Sequence, residues 1–314
     1  MHHVLGHYFT IAPWLRHRLG TPGEIPGTRW ETSLVDPKVG RVRLSGVLSE
    51  EPDADTVLVV VHGLGGGIHS HYVYRAALAA EAAKMACLRL SLRGADRRGE
   101  DFYHAGLTAD LHAAMASRGL ERYRRIFLLG YSLGGHVVLR YATESFDPRI
   151  GAVAAVCAPL DLERSAQAID RFASLVYRRY LLHTLREIYE KVAELRAVPI
   201  PVRQARRVRT LREWDTKTVA PRHGFESAEH YYAEMSVAPL LRKIAIPALL
   251  VYAEKDPMVP AEIVRPCLEG LPPNVEVRWV ERGGHVGFPA KLDPGQRAPR
   301  GLASQIIGWL ETHR

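Results

Sequence analysis

Continuous apolar runs alternate with amphipathic segments over most of this chain. Val57-Leu58-Val59-Val60-Val61 is uniformly apolar, as a strand buried on both faces requires, and helical periodicity follows from about Tyr72 to Met85. The unit repeats: a strand at Cys87 to Leu92 and a helix at Leu107 to Ser117, then a strand at Ile126 to Leu129 and a helix at Val137 to Ala142. A further strand runs from Ile150 to Cys157. Ahead of these, Trp30 to Val35 and Arg41 to Leu48 alternate with period two across Asp36-Pro37-Lys38-Val39-Gly40, which predicts an antiparallel hairpin. About 28 residues at the amino terminus give no clear element.

From Pro159 to about Leu241 no strand-like run appears. Ile169, Phe172, Val176, Tyr180, Ile188, Val192 and Leu195 recur at spacings that fit one helical face, and Pro199 and Pro201 close that block. The alternation resumes with Ala248 to Tyr252, Val275 to Val280 and an amphipathic helix from about Leu302 to Glu311. A crossover between parallel strands needs roughly a dozen residues, and this one is several times longer. The pattern therefore predicts an α/β fold, a mostly parallel central sheet flanked by helices. Residues 1–158 and 242–314 form the core domain, and 159–241 a helical cap, or lid, inserted between two strands.

Candidate chemistry lies at the carboxyl ends of these strands, where open α/β sheets bind ligands. Gly130-Tyr131-Ser132-Leu133-Gly134 fits G-x-S-x-G between a strand and a helix, which makes Ser132 a candidate nucleophile on a sharp turn. Its position at a helix amino terminus offers the Leu133 amide to an oxyanion. His62-Gly63-Leu64-Gly65-Gly66-Gly67 follows the first buried strand and offers the Leu64 amide as a second donor. A phosphate loop is a poor fit there, because Ile68-His69 stands where Lys-Ser/Thr is needed. G-x-G-x-x-G fails as well, ending in Ile68.

A serine nucleophile needs a base, and the base needs an orienting acid. Among the downstream histidines only His285 follows a late strand in a glycine-softened loop, while His136 sits on the serine's own helix in a packing or solvent-facing role. Asp256, after the strand ending at Tyr252, is the candidate acid; Asp161 is its main rival and Glu254 a weaker one. Tyr131, Phe172, Val176 and Tyr180 are candidate substrate-binding residues. The mechanism calls for neither metal nor organic cofactor.

Composition narrows the partners. The net charge of +8 comes from 42 basic against 34 acidic residues, and the basic ones are mostly arginine scattered along the chain. The densest stretch, Arg203 to Arg209, has no aromatics for base stacking, so nucleic acid is not expected. Attraction to acidic membrane lipid or an anionic substrate remains open. Three scattered cysteines form no disulfide framework, and Cys87 and Cys157 sit in apolar runs as core residues would. With no secretory pattern at the amino terminus and no apolar run long enough to span a bilayer, a cytoplasmic location is the expectation.

These motifs together resemble the YheT/EMB8-like branch of α/β-hydrolases, related to ABHD1/ABHD3-type proteins. The resemblance is carried by His62 to Gly66, Ser70-His71-Tyr72-Val73, Leu92-Arg93-Gly94, Tyr103-His104-Ala105-Gly106 and Gly130 to Gly135. It continues in Ala220-Pro221-Arg222-His223-Gly224-Phe225, Tyr231-Tyr232 and Gly283-Gly284-His285-Val286-Gly287-Phe288. It implies Ser132, Asp256 and His285 as the triad, and an esterase or lipase acting on short- to medium-chain acyl esters, in some members phospholipids. An acyltransferase is the alternative, since an alcohol in place of water needs no new catalytic group. A non-catalytic binding protein on the same scaffold is a second alternative. Ala95-Asp96-Arg97-Arg98 departs from the many relatives with Cys or Gly and a Ser after Arg-Gly.

Overall fold

The computed structural model describes residues 2–20, 25–144, 146–293 and 295–314. Eight strands form one sheet: β1 (Thr28–Asp36), β2 (Gly40–Ser49), β3 (Thr56–Val61), β4 (Ala86–Ser91), β5 (Arg125–Tyr131), β6 (Ile150–Val156), β7 (Ala248–Ala253) and β8 (Val275–Val280). Their order is β1-β2-β4-β3-β5-β6-β7-β8; β2 pairs antiparallel with β1 and β4, and every later pair is parallel. The hairpin turn is closed by Asp36 Oδ1, which accepts the Lys38 and Val39 amides at 2.9 and 3.2 Å.

Helices cover both faces, which is why the central strands are apolar throughout. Val57, Val59 and Val61 of β3 face a cluster with α3 (Ala109–Met115) and α4 (Leu133–Tyr141). Leu58 and Val60 face the opposite cluster with α2 (His71–Ala82) and α12 (Leu302–Glu311). Two boundaries differ from expectation. α4 begins directly after Ser132 rather than at Val137, and the amino-terminal region holds a further helix, α1 (His2–Leu19).

Between β6 and β7 the chain is helical. It forms α5 (Leu162–Asp170), α6 (Leu175–Leu195), α7 (Val202–Ala205), α8 (Leu211–Trp214), a π turn (Asp215–Val219), α9 (Ala220–His223) and α10 (Ala228–Met235). The single apolar face expected over 169–195 is a correction. A 3₁₀ turn at Phe172–Ser174 breaks the register between α5 and α6. Within α6 itself the buried face is Tyr177, Leu181, Leu185, Ile188 and Val192, about a third of a turn from exposed Val176 and Tyr180, and Leu195 is exposed at the helix end. After β7 comes the short α11 (Ala261–Val264). Among the described residues no helix is long and apolar enough to cross a membrane.

A buried ion network ties the helical stretch to the sheet. The Arg93 guanidinium donates to Asp110 at 2.6 and 2.8 Å, to Asp101 at 3.0 Å and to Asp36 at 2.8 Å. Arg222 of α9 donates to the other oxygen of Asp101 at 2.7 Å. Charges this deeply enclosed are tolerable only when paired, so the two arginines, from Leu92-Arg93-Gly94 and Ala220-Pro221-Arg222-His223, are interdependent.

Candidate active site

The turn from β5 into α4 holds Ser132 at φ 51° and ψ −123°, a conformation that side chains rarely adopt. Its two glycines are steric necessities. A Cβ at Gly130 would lie 2.3 Å from the Gly134 carbonyl oxygen, and one at Gly134 would lie 2.4 Å from those of Val61 and His62. Cys157 and Val286, which flank the site, also have positive φ, 50° and 52°. For a β-branched residue such as Val286 that is an outlier, so backbone strain concentrates here.

Ser132, His285 and Asp256 meet above the strand ends. Ser132 Oγ lies 2.8 Å from His285 Nε2, and His285 Nδ1 lies 2.8 and 3.1 Å from the two carboxylate oxygens of Asp256. A carboxylate only accepts, so the imidazole proton sits on Nδ1 and leaves Nε2 to accept from the serine hydroxyl. Asp256 Oδ1 also accepts the Met258 and Val259 amides at 2.8 and 2.9 Å, which fixes its orientation. The rival acids are spent elsewhere. Asp161 caps α5 by accepting the Arg164 amide at 3.0 Å, and Glu254 pairs with Arg265 at 2.7 Å.

The loop after β3 is held by side chains that the sequence could not connect to it. Gly63 N–H donates to Tyr72 Oη at 3.1 Å, Gly65 N–H to Tyr103 Oη at 2.8 Å, Gly66 N–H to the Gly63 carbonyl at 3.0 Å and Gly67 N–H to Ser70 Oγ at 3.1 Å. The Leu64 amide, and likewise that of Leu133 at the start of α4, donates to no protein group among the described residues. Beneath the loop, buried His62 accepts the Leu92 amide on Nε2 at 3.2 Å and donates from Nδ1 to the Gly63 carbonyl at 2.8 Å. Burial lowers its pKa to about 4 and keeps it neutral for that double role. Tyr231 of α10 supports the neighbouring segment by accepting the Ala105 amide at 3.0 Å.

The amino-terminal helix was missed by sequence reasoning, and it buttresses the site directly. Thr10 Oγ1 accepts the His285 amide at 2.8 Å and donates to the Gly6 carbonyl at 2.8 Å. A Cβ at Gly284 would lie 2.2 Å from the Gly6 oxygen, and one at Gly287 would lie 1.9 Å from the Phe9 oxygen. Gly284 and Gly287 are thus the imprint of α1, whereas Gly283 makes room for the Phe288 ring and Ala253. A usable signal was present, since Val4, Tyr8, Ile11, Leu15 and Leu19 recur at spacings of three and four.

A cavity of about 1060 Å³ opens onto Ser132 and His285, with Leu64, Leu133, Val176 and Tyr180 in its lining. Its walls from the helical stretch are largely apolar: Ile169, Leu181, Leu185, Leu211, Trp214 and Val219. Tyr131 is a correction. It lies behind the turn, with its ring 4.8 Å from that of Tyr72, and it does not line the cavity. In a strand that alternates faces, the residue before Ser132 points into the core. The Phe172 side chain lies outside the described residues. His136 packs: its two ring nitrogens lie 2.6 and 2.8 Å from the Pro159 and Met235 carbonyls, away from solvent. Asp215, where the π turn starts, borders the cavity and accepts from Tyr232 Oη at 2.7 Å.

Among the described residues, one cluster could offer three metal ligands: Cys157, Asp256 and His285, with ligand atoms within 4.8 Å of one another. Its imidazole and carboxylate are already paired. Burial, with the nearby Asp256 charge, pushes the Cys157 thiol well above its ordinary range and favours the neutral form, a poor ligand.

Residues 58–297 match the model of the Alpha/beta hydrolase family. YheT of Escherichia coli is 35% identical over 267 residues, spanning 82% of this chain and 76% of that protein. The chain belongs to the α/β-hydrolase family. The monoacylglycerol lipase of Saccharomyces cerevisiae is 28% identical over 251 residues, 75% of this chain and 55% of the yeast protein. In three dimensions the chain resembles the Pyrococcus furiosus esterase Pf2001, with a TM-score of 0.54, 16% identity, and coverage of 85% of this chain and 89% of that one. At that identity the likeness concerns the fold alone.

Proposed function

We propose that this α/β-hydrolase is a serine carboxylic ester hydrolase working through a Ser132-His285-Asp256 triad and an acyl-enzyme. The observation that carries the proposal is the unbroken line of hydrogen bonds from Asp256 through His285 to Ser132 Oγ, opening onto an apolar cavity. Ser132 attacks the acyl carbonyl while His285 Nε2 takes its proton, and Asp256 stabilises the imidazolium that forms. The oxyanion is bound by the Leu64 and Leu133 amides, neither of which donates to a protein group among the described residues. His285 then protonates the leaving alcohol. Water, activated by the same imidazole, releases the acid. Every proton moves through protein groups, and no cofactor enters the cycle.

Residues 159–241 act in this proposal as a lid that selects the acyl group. Leu181 and Leu185 of α6 and Trp214 of α8 line the cavity and set its depth. The name of the yeast relative, monoacylglycerol lipase, agrees with an ester of an apolar acyl chain. Each accommodated methylene contributes about 0.8 kcal/mol at best, so a few carbons shift preference by one or two orders of magnitude. With p-nitrophenyl esters from acetate to palmitate, activity should rise towards butyrate–octanoate and then fall, and Leu181→Ala should move the optimum to longer chains. A flat profile that Leu181→Ala leaves unchanged would reject selection by the lid.

A further inference from the structure

α1 is mounted in an unusual sense. The residues it turns toward the protein are small or polar: Gly6 against Lys255, Thr10 against His285, Pro13 against Gly287 and His17 bonded to the His69 carbonyl at 2.9 Å. Of its larger apolar residues, Val4, Tyr8, Ile11, Leu15 and Leu19 are exposed, Val4 to 69% and Leu19 to 78%, whereas Leu5, Phe9 and Trp14 are half-buried. At 3.6 residues per turn these five span about 80° of the helix, centred about 180° from Gly6, Thr10, Pro13 and His17. A helix docked only to a protein core presents the opposite arrangement.

The stripe continues onto α6. The Trp14 ring meets Tyr180 edge-on at 6.2 Å, and His7 is stacked on Tyr177 and bonded to its hydroxyl at 2.6 Å. Beside them Val176 is 70% exposed. Ile11, Trp14, Val176 and Tyr180 all line the cavity as well, so the exposed apolar surface reaches its rim at these four residues. The charged side chains of α1 and of the first half of α6 have one sign. α1 contains no Asp or Glu and carries exposed Arg16 and Arg18 on either side of the stripe. Arg171 and Arg179 are exposed beside Val176 and Tyr180, and α6 has no acid before Glu187.

We infer that the α1 stripe and the exposed start of α6 form a docking surface for an anionic phospholipid bilayer. An apolar stripe bordered by arginines is what an interfacial helix uses, its side chains entering the acyl boundary and its guanidinium groups meeting lipid phosphates. Charge complementarity selects an anionic bilayer as the occupant. Docking there sets the cavity rim against the membrane, so that an apolar substrate enters without crossing water. The inference does not depend on the ester hydrolase proposal, since binding is measured without turnover.

The test is sedimentation of the full chain with phosphatidylcholine vesicles, with and without phosphatidylglycerol. The wild type should sediment with the phosphatidylglycerol vesicles and be released by salt. Leu15→Asp/Leu19→Asp should weaken that binding by at least about tenfold, because a carboxylate is expelled from the acyl boundary. Both side chains are exposed, and an unchanged circular dichroism melt would verify folding. Arg171→Gln/Arg179→Gln should reduce the preference for phosphatidylglycerol. Wild-type protein that fails to sediment with these vesicles, or a Leu15→Asp/Leu19→Asp variant that binds them equally well, would overturn the inference. So would a dimer abolished by the same two substitutions with vesicles left unbound, which would make the stripe a contact between copies of this chain.

Discussion

The His285 amide donates to Thr10 Oγ1 across 275 residues of sequence, so the loop carrying the imidazole is fastened to the first helix of the chain. Removing the acceptor should loosen His285 without touching its ring. We expect Thr10→Val to cost about 1 kcal/mol of loop stability and to lower turnover of p-nitrophenyl butyrate about fivefold, whereas Thr10→Ser keeps the oxygen and stays near wild type. Equal activity in the two variants would contradict the fastening role.

The two candidate acids separate cleanly. Asp256 supports the His285 tautomer, so Asp256→Asn should lower turnover about ten-thousand-fold. Asp161 caps α5, and asparagine caps as well as aspartate, so Asp161→Asn should stay within about twofold of wild type. Steady-state kinetics on the two purified variants decides, and reversed effects would move the acid to Asp161.

Asp215 gives the protein a pH-dependent stability. Burial raises its pKa to about 7, aided by the nearby Asp170 charge and opposed by the Tyr232 hydroxyl and Arg212. The folded state therefore binds a proton that the unfolded chain, with an ordinary carboxyl near 3.8, has released. This stabilisation is fully present below the unfolded pKa and is lost as pH rises through about 7. Asp215→Asn is neutral at every pH and can still accept from Tyr232. Between about pH 5 and pH 8 the wild-type Tm should fall relative to that of Asp215→Asn. Parallel Tm profiles would show that the carboxyl titrates outside this range.

The sheet was legible in the sequence because its central strands are buried on both faces and punctuated by helices of ordinary period. That Ser132, Asp256 and His285 come together was legible because each follows a strand in the expected order. α1 was not. The period of Val4, Tyr8, Ile11, Leu15 and Leu19 was available to mark a helix, but its contacts to the protein run through Gly6, Thr10, Pro13 and His17, which carry no apolar signature of a docked face. The α6 face was misread because Val176 and Tyr180 lie about a third of a turn around the helix from Ile188 and Val192, so spacings of three, four and their multiples joined residues of two faces. The tyrosines that hold the loop after β3, Tyr72 and Tyr103, act across tertiary contacts and leave no spacing to detect.

The central claim is that Ser132 is the nucleophile of an ester hydrolase. The direct measurement is mass spectrometry of the protein after reaction with a fluorophosphonate, with hydrolysis of p-nitrophenyl butyrate measured alongside. A single adduct on Ser132 is expected. It should be absent from Ser132→Ala, whose turnover should fall on the order of a million-fold while the variant remains folded. An adduct on another residue, together with near-wild-type hydrolysis by Ser132→Ala, would contradict the account.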